Sequence, residues 1–111
     1  MKLRTCIINP SRVEALPKAL WAAGDRSMTL SEARGYGYGK GRLEPGKEDF
    51  IGESAPRTRV ELAVHDGDAE AALEIVLEAV RTGRIGDGKV FISSLDQVVR
   101  VRTGERGDAA L

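Results

Sequence analysis

The chain has 111 residues, 41% hydrophobic and 31% charged, and its 17 basic residues balance 17 acidic ones. This length suits one domain over residues 1–111, and a zero net charge favours neither a nucleic acid nor an acidic membrane surface as partner. The single cysteine, Cys6, cannot build a disulfide framework, and no apolar run reaches the roughly 20 residues of a membrane span. The first residues do not form a signal-peptide pattern. We therefore expect a cytoplasmic protein.

The first third of the chain predicts a strand, a helix and a second strand. Leu3 to Ile8 is β-branched and apolar. Ser11 and Glu14 have capping-box spacing, but Pro17 is favourable only in a first helical turn, so we expect a late start or a kink. The helix should end at Gly24, and Met28 to Tyr36 reads as the next strand.

The rest of the chain predicts a long loop and then a second, similar unit. The loop runs from Gly37 to about residue 56, and its length is typical of a functional or disordered segment. Alternation then predicts a strand over Arg57 to Val64, and helical spacing predicts a helix between Asp66 and Gly83. Lys89 to Ser93 and Gln97 to Arg102 read as a fourth and a short fifth strand.

This order predicts an α+β, ferredoxin-like βαββαβ fold with an extra C-terminal strand. Val60, Leu62 and Val64 share one strand face, and the opposite face of the sheet is not fully polar. We expect copies of the same chain to cover it.

Three segments carry residues suited to binding anions. Gly86, Asp87, Gly88 and Lys89 can present backbone amides and one ammonium to phosphate, although a simple helix-to-strand turn also uses such glycines. Arg100 and Arg102 would share one face of a short strand, where arginine suits bidentate phosphate contact; an edge strand protected by charge is the alternative. Gly35 to Gly41 alternates glycine with Tyr36, Tyr38 and Lys40, and a flexible loop base explains it equally well.

Residues suited to catalysis are few. His65, the only histidine, lies at a predicted strand end, where a turn role is more common than general-base catalysis. Cys6 lies in a strand expected to be buried, which disfavours a nucleophile. Trp21 and Phe91 fit core or interface positions. We expect a protein that is not an enzyme and binds no metal through its own side chains.

Two long motifs resemble the P-II signalling family. The segment from Thr82 to Ile92, TGRIGDGKVFI, is similar to that family's C-terminal signature, and Arg100 to Gly107, RVRTGERG, resembles the segment that follows it. Residues in the first half, such as Met28-Thr29, fit the family as well. The resemblance spans nearly the whole chain.

The resemblance implies a homotrimer with adenine-nucleotide sites between subunits, binding ADP, AMP or ATP, with or without Mg²⁺. It implies that Gly86 to Lys89, Arg100 and Arg102 hold phosphates. It further implies that Ile7, Thr29, Leu62 and Ala63 line the adenine pocket, and that Met28 belongs to the same nucleotide site. Gly35, Tyr36, Gly37 and Tyr38 would close over the nucleotide and lead into a long loop, the T-loop, which docks on a transporter or enzyme.

The chain departs from this pattern mainly in the T-loop. The family usually has arginine then glutamine at the positions of Tyr38 and Gly39, so 2-oxoglutarate sensing is in doubt. No tyrosine stands between Arg42 and Ala55, which argues against uridylylation at the usual site. These departures resemble a divergent branch serving inorganic carbon or metal transport.

We expect a small oxyanion such as bicarbonate at a site formed by Gly39, Lys40, Gly41, Arg42 and Arg57. A standard nitrogen and 2-oxoglutarate regulator of ammonium transport and a regulator of metal transport are alternatives. A slow ATPase and a trimer that has lost its ligand are further ones.

Overall fold

The computed structural model describes residues 1–24, 27–36 and 54–111, and within them four strands and two α-helices follow the predicted βαββαβ order. The strands are β1 (Lys2–Ile8), β2 (Thr29–Gly35), β3 (Ala55–Val64) and β4 (Gly88–Ser94). The helices are α1 (Ala15–Ala22) and α2 (Ala69–Val80), and short 3-10 helices span Pro10–Arg12, Asp66–Asp68 and Gly107–Ala110. No helix of this described part has the length and apolar composition to cross a membrane.

The strands form one antiparallel sheet in the order β2-β3-β1-β4. The predicted ferredoxin-like α+β fold is therefore confirmed. Its register decides which residues can meet. Ile7 in β1 lies between Arg59 in β3 and Lys89 in β4, whereas Leu3 lies between Ala63 and Ser93 near the other end of the strands.

The core lies on the side of the sheet that carries both helices. Alternate residues of β1 and β3 point there, as the period of a strand requires, and they pack against apolar residues recurring at helical spacing in α1 and α2. The buried apolar members of this core are Cys6, Ile8, Leu16, Leu20, Val60, Leu62, Val64, Ala69, Ala72, Val76 and Val80. The alternation predicted for Val60, Leu62 and Val64 is confirmed.

One charged residue, Arg4, also lies on the helix side and is 1% exposed. Its Nη2 donates to the carbonyl oxygen of Ala69 at 2.8 Å, which ties β1 to the first residue of α2. Nε and Nη1 of the same guanidinium are buried and have no hydrogen-bond partner within the described part of the chain, so the Ala69 contact satisfies only part of this group.

The late start predicted for the first helix is confirmed, but the capping box is wrong. The Ser11 N–H donates to the Asn9 side chain at 3.0 Å, and Glu14 makes no capping hydrogen bond. The 3-10 turn at Pro10–Arg12 delays α1 until Ala15. Pro17 therefore falls in the first helical turn, where its missing N–H leaves no partner unsatisfied.

The fifth strand predicted over Gln97 to Arg102 is wrong. Val99 and Arg106 form an isolated bridge, and the chain turns between them. The Gly104 N–H donates to the Arg100 carbonyl at 2.8 Å, and Gly104 has a φ of 73°, a conformation that glycine adopts readily. The turn interrupts the extended backbone that a strand needs.

The other face of the sheet, which we call the open face, carries Leu3, Thr5 and Ile7 of β1 with their neighbours on β3 and β4. Phe91 lies there and is 56% exposed, while Trp21 on α1 is 63% exposed. Neither aromatic side chain belongs to the core of a single chain. Of the two positions predicted for them, core or interface, the core position is therefore wrong and the interface position stays a prediction. β3 begins at Ala55, earlier than predicted, and residues 37–53 of the predicted loop lie outside the described residues.

Candidate functional site

The loop between α2 and β4 is held in shape by the carboxylate of Asp87. One carboxylate oxygen accepts hydrogen bonds from the backbone N–H of Thr82 at 2.8 Å and of Gly83 at 2.9 Å, and the other accepts from the Thr82 hydroxyl. The Thr82 hydroxyl, followed by the backbone donors, lowers the pKa of the Asp87 carboxyl below its usual 3.8. Asp87 is thus bonded within its own loop, and contact with phosphate, predicted from the sequence, stays a prediction.

Gly88 is the point at which this loop enters the sheet, and only glycine fits there. Its φ is 103°, and a Cβ at this position would stand 1.9 Å from the carbonyl oxygen of Ile7. Gly86 also has a positive φ, 99°. Gly88 brings the backbone of β4 against β1, and neither glycine adds a side chain to the loop.

Lys89 follows directly and faces Ile7 on the open face. Arg59 pairs with Ile7 from the other side, so two cations flank Ile7 in one row across three strands. Arg59 Nε also lies 3.3 Å from Glu61 Oε1. Sequence reasoning did not assign Arg59 to the site, although the alternation of β3 places it on the same face as Arg57.

The base of the predicted T-loop joins the same end of the sheet. Gly35 pairs with Ala55, and a Cβ on Gly35 would stand 3.8 Å from Cγ of Arg57. Arg57 Nη1 donates to the Pro56 carbonyl at 3.0 Å. Tyr36 is 72% exposed. The predicted site residues Gly37, Tyr38, Gly39, Lys40, Gly41 and Arg42 lie outside the described residues.

The two predicted phosphate arginines occupy a turn and not a strand. Arg100 Nη1 donates to Glu105 Oε1 at 3.0 Å, and the Arg100 N–H donates to the Glu105 carbonyl at 2.9 Å. Arg102 lies in the turn and is exposed. The two side chains are therefore not the equivalent pair on one face that the strand prediction implied.

The predicted adenine pocket is only partly assembled in one chain. A shallow cavity of about 250 Å³ opens beside the start of β2. Its lining residues are Leu3, Ser27, Met28, Thr29, Glu61, Leu62 and Ala63. Three of the four residues predicted for the adenine pocket, Thr29, Leu62 and Ala63, meet here, beside Met28. Ile7 does not, because it lies four residues along β1 from Leu3, beside Lys89.

The two residues considered for catalysis, Cys6 and His65, contact parts of the fold outside the predicted nucleotide site. Burial raises the pKa of the Cys6 thiol to about 11, only partly offset by the nearby Arg4 charge, so the thiolate is scarce at neutral pH. His65 Nδ1 lies 3.5 Å from Asp108 Oδ1 and connects the end of β3 to the C-terminal 3-10 helix.

Comparison with known proteins decides the family. The model of the family described as nitrogen regulatory protein P-II matches residues 1–105. The chain belongs to this P-II family. P-II relatives include nitrogen regulatory protein P-II 2 of Methanothermobacter thermautotrophicus, 42% identical over all of this chain and 97% of the relative. Nitrogen regulatory protein GlnK of Escherichia coli is 38% identical, with all of both chains covered.

A solved P-II structure agrees with the fold. The crystal structure of Arabidopsis thaliana PII bound to citrate superposes with a TM-score of 0.82 at 32% identity and covers 99% of this chain and 91% of that one. The relatives are named as regulatory proteins, so membership of the P-II family supports a regulatory role for this chain. The resemblance inferred from the two sequence motifs is confirmed.

Proposed function

We propose that this protein is a homotrimeric, non-enzymatic sensor that binds ADP, AMP or ATP between its copies. The T-loop, about residues 37–56, would change conformation with the bound nucleotide and so regulate a transporter or enzyme in the cytoplasm. The observation that carries the proposal is the separation of the phosphate residues from the adenine cavity. Lys89 lies on one edge strand of the sheet, and Thr29, at the cavity, lies on the other edge strand.

This separation follows from the strand order. Lys89 is on β4, one edge of the sheet, and Thr29 is on β2, the other edge. Thr29 aligns across the sheet with Phe91, two residues from Lys89. Strand spacing and rise place Thr29 and Lys89 about 16 Å apart. A nucleotide held by the phosphate corner of one copy and the cavity corner of the next explains both clusters.

Such an arrangement joins different surfaces of identical chains. Head-to-tail contacts of this kind close into rings when the rotation permits, and a trimer is one such ring. It would also cover part of the open face, where Phe91 is exposed. Both considerations support a trimer over a nucleotide site within one chain.

The charges at the phosphate corner suit a polyphosphate. Lys89 and Arg59 flank Ile7, and Gly86 and Gly88, both with positive φ, add no side chain to the neighbouring loop. Ammonium and guanidinium groups with backbone amides are the usual phosphate ligands in proteins. Glu61 lines the cavity and also pairs with Arg59 at 3.3 Å, so it borders both groups of residues.

The proposal is tested by calorimetric titration with AMP, ADP and ATP, together with the molar mass in solution. The unaltered protein should be a trimer and bind at least one adenylate. Lys89→Ala and the pair Arg100→Ala, Arg102→Ala should weaken binding without preventing folding, while Lys18→Ala, an exposed lysine of α1, should not. A monomer, or a protein that ignores every adenylate at millimolar concentration, would contradict it.

The second effector has two candidates. Bicarbonate is favoured by the cationic Arg57 beside Gly35 at the T-loop base, with Lys40 and Arg42 as further predicted ligands. A nitrogen signal such as 2-oxoglutarate is favoured by relatives named nitrogen regulatory proteins. Titration of each effector with and without ADP separates them, since only the true effector shifts ADP affinity.

An ATPase and a trimer without a ligand remain the rival functions. Phosphate release by the purified protein would favour the first. The absence of any thermal stabilisation by adenylates would favour the second, because a ligand that binds only the folded state must stabilise it.

A further inference from the structure

Arg100 is already bound to groups of its own chain. Its Nη1 donates to Oε1 of Glu105 at 3.0 Å, and its Nη2 donates to the main-chain oxygen of Leu111 at 3.3 Å. The same Glu105 oxygen accepts a hydrogen bond from the Thr103 hydroxyl at 2.8 Å. Both terminal nitrogens of the guanidinium therefore have partners before any ligand arrives, and the Glu105 side chain is an anion.

Arg102, two residues away, is in a different state. It is exposed and forms no hydrogen bond or ion pair with any other residue of the described ranges. A phosphate can therefore meet Arg102 without breaking a contact within that part of the chain. To meet Arg100 with its full charge, the same phosphate must displace or share the Glu105 carboxylate.

We propose that Glu105 is an internal anion that competes with nucleotide phosphates for Arg100 and thereby sets how strongly affinity rises with the number of phosphates. This inference rests on the proposed nucleotide binding. A carboxylate 3.0 Å from the guanidinium offsets its charge and repels each further phosphate charge brought nearby. Removing Glu105 should therefore raise nucleotide affinity, whereas removing a residue that merely positions Arg100 would lower it.

The expected size of the effect follows from exposure. The side chains of Arg100 and Glu105 are 36% and 44% exposed, so solvent screens the pair. Ion pairs of this kind correspond to about a two- to fivefold change in an equilibrium constant. The structure therefore predicts a modulation of affinity, not its loss.

The test is Glu105→Gln, which removes the charge and keeps the shape and an oxygen that can accept from Arg100. Adenosine, AMP, ADP and ATP are titrated calorimetrically at low salt without divalent ions. ATP affinity should rise about two- to fivefold, ADP and AMP affinity progressively less, and adenosine affinity not at all. Glu74→Gln, which removes the same charge from the exposed side of α2, should change none of them.

Repeating the titration in an Arg100→Ala background isolates the pair. There the gain from Glu105→Gln should be smaller, because competition for the Arg100 guanidinium is gone and only the direct repulsion between Glu105 and the phosphates is left. An unchanged or weaker ATP affinity in Glu105→Gln, or an equal gain in both backgrounds, overturns this inference alone. Failure of the unaltered protein to bind any adenylate overturns both this inference and the proposed function.

Discussion

Replacing Gly88 by alanine tests whether the loop at the phosphate corner has the shape described. The new Cβ would stand 1.9 Å from the Ile7 carbonyl oxygen and 2.9 Å from its carbonyl carbon, so the backbone of β1 or β4 must move. The φ of 103° adds a second penalty, because residues with a Cβ rarely adopt it. Both effects act at the first pairs of β4 with β1.

The loss of stability in Gly88→Ala is the sum of these two costs. A left-handed backbone costs roughly 1–2 kcal/mol for a residue with a side chain. Overpacking against atoms that must shift costs about 1–3 kcal/mol. Gly88→Ala should therefore lower the free energy of unfolding by about 2–5 kcal/mol. Urea denaturation at fixed protein concentration, without nucleotide, measures it.

Two other glycines separate the terms. Gly24 has a φ of 94° but open space around its Cβ position, so Gly24→Ala should show the backbone term alone, about 1–2 kcal/mol. Gly67 has open space and no positive φ, so Gly67→Ala should be neutral or stabilise by up to about 1 kcal/mol. If Gly88→Ala unfolds no more easily than Gly24→Ala, the close approach of β4 to Ile7 is refuted.

Three further outcomes are expected. The Asp87 pKa is lowered in the folded state, so the ionised carboxylate stabilises the fold above its usual pKa of 3.8, and this stabilisation is lost as the pH falls. Urea denaturation should show Asp87→Asn to be less stable than the unaltered protein at neutral pH, with the difference shrinking below about pH 4. A difference that stays constant with pH would contradict this. The Cys6 thiol, with its pKa of about 11, should react slowly with a thiol reagent at pH 8 until urea unfolds the chain; rapid reaction of the folded protein would contradict its burial. Leu16→Ala, at a fully buried site, should lower the free energy of unfolding by about 2–5 kcal/mol, and Leu30→Ala, 45% exposed, by much less; equal losses would mean that the core is misplaced.

The elements whose sequence period and end signals agree were predicted well. Val60, Leu62 and Val64 alternate and are buried, and the apolar spacing of α2 is followed by Gly83 with a φ of 81°. The prediction was wrong where two local helix-start signals lie close together in the sequence. At Ser11 the capping-box spacing gave way to a turn stabilised by the Asn9 side chain and by the restricted geometry of Pro10.

The site was predicted in part, because its residue types are local while its assembly is not. Gly88 and Lys89 lie next to Ile8 and Ile7 of β1, and their contact with phosphate stays a prediction. The distance between Ile7 and the cavity around Thr29 depends on strand order, which no local pattern contains. The ion pair of Arg100 with Glu105 likewise depends on the turn at Gly104. The alternating Arg-Val-Arg pattern before this turn led to the wrong prediction of a strand.

Mixing two defective variants shows whether each nucleotide lies between two copies of the chain. Lys89→Ala impairs the phosphate corner, and Thr29→Trp fills the cavity corner; each should bind ADP poorly alone. When the two are unfolded, mixed equally and refolded together, about one site in four should combine two intact corners and recover ADP binding. Nucleotide sites between copies should give recovery at about that level, and no recovery in mixed trimers would show that the two corners do not act together across copies.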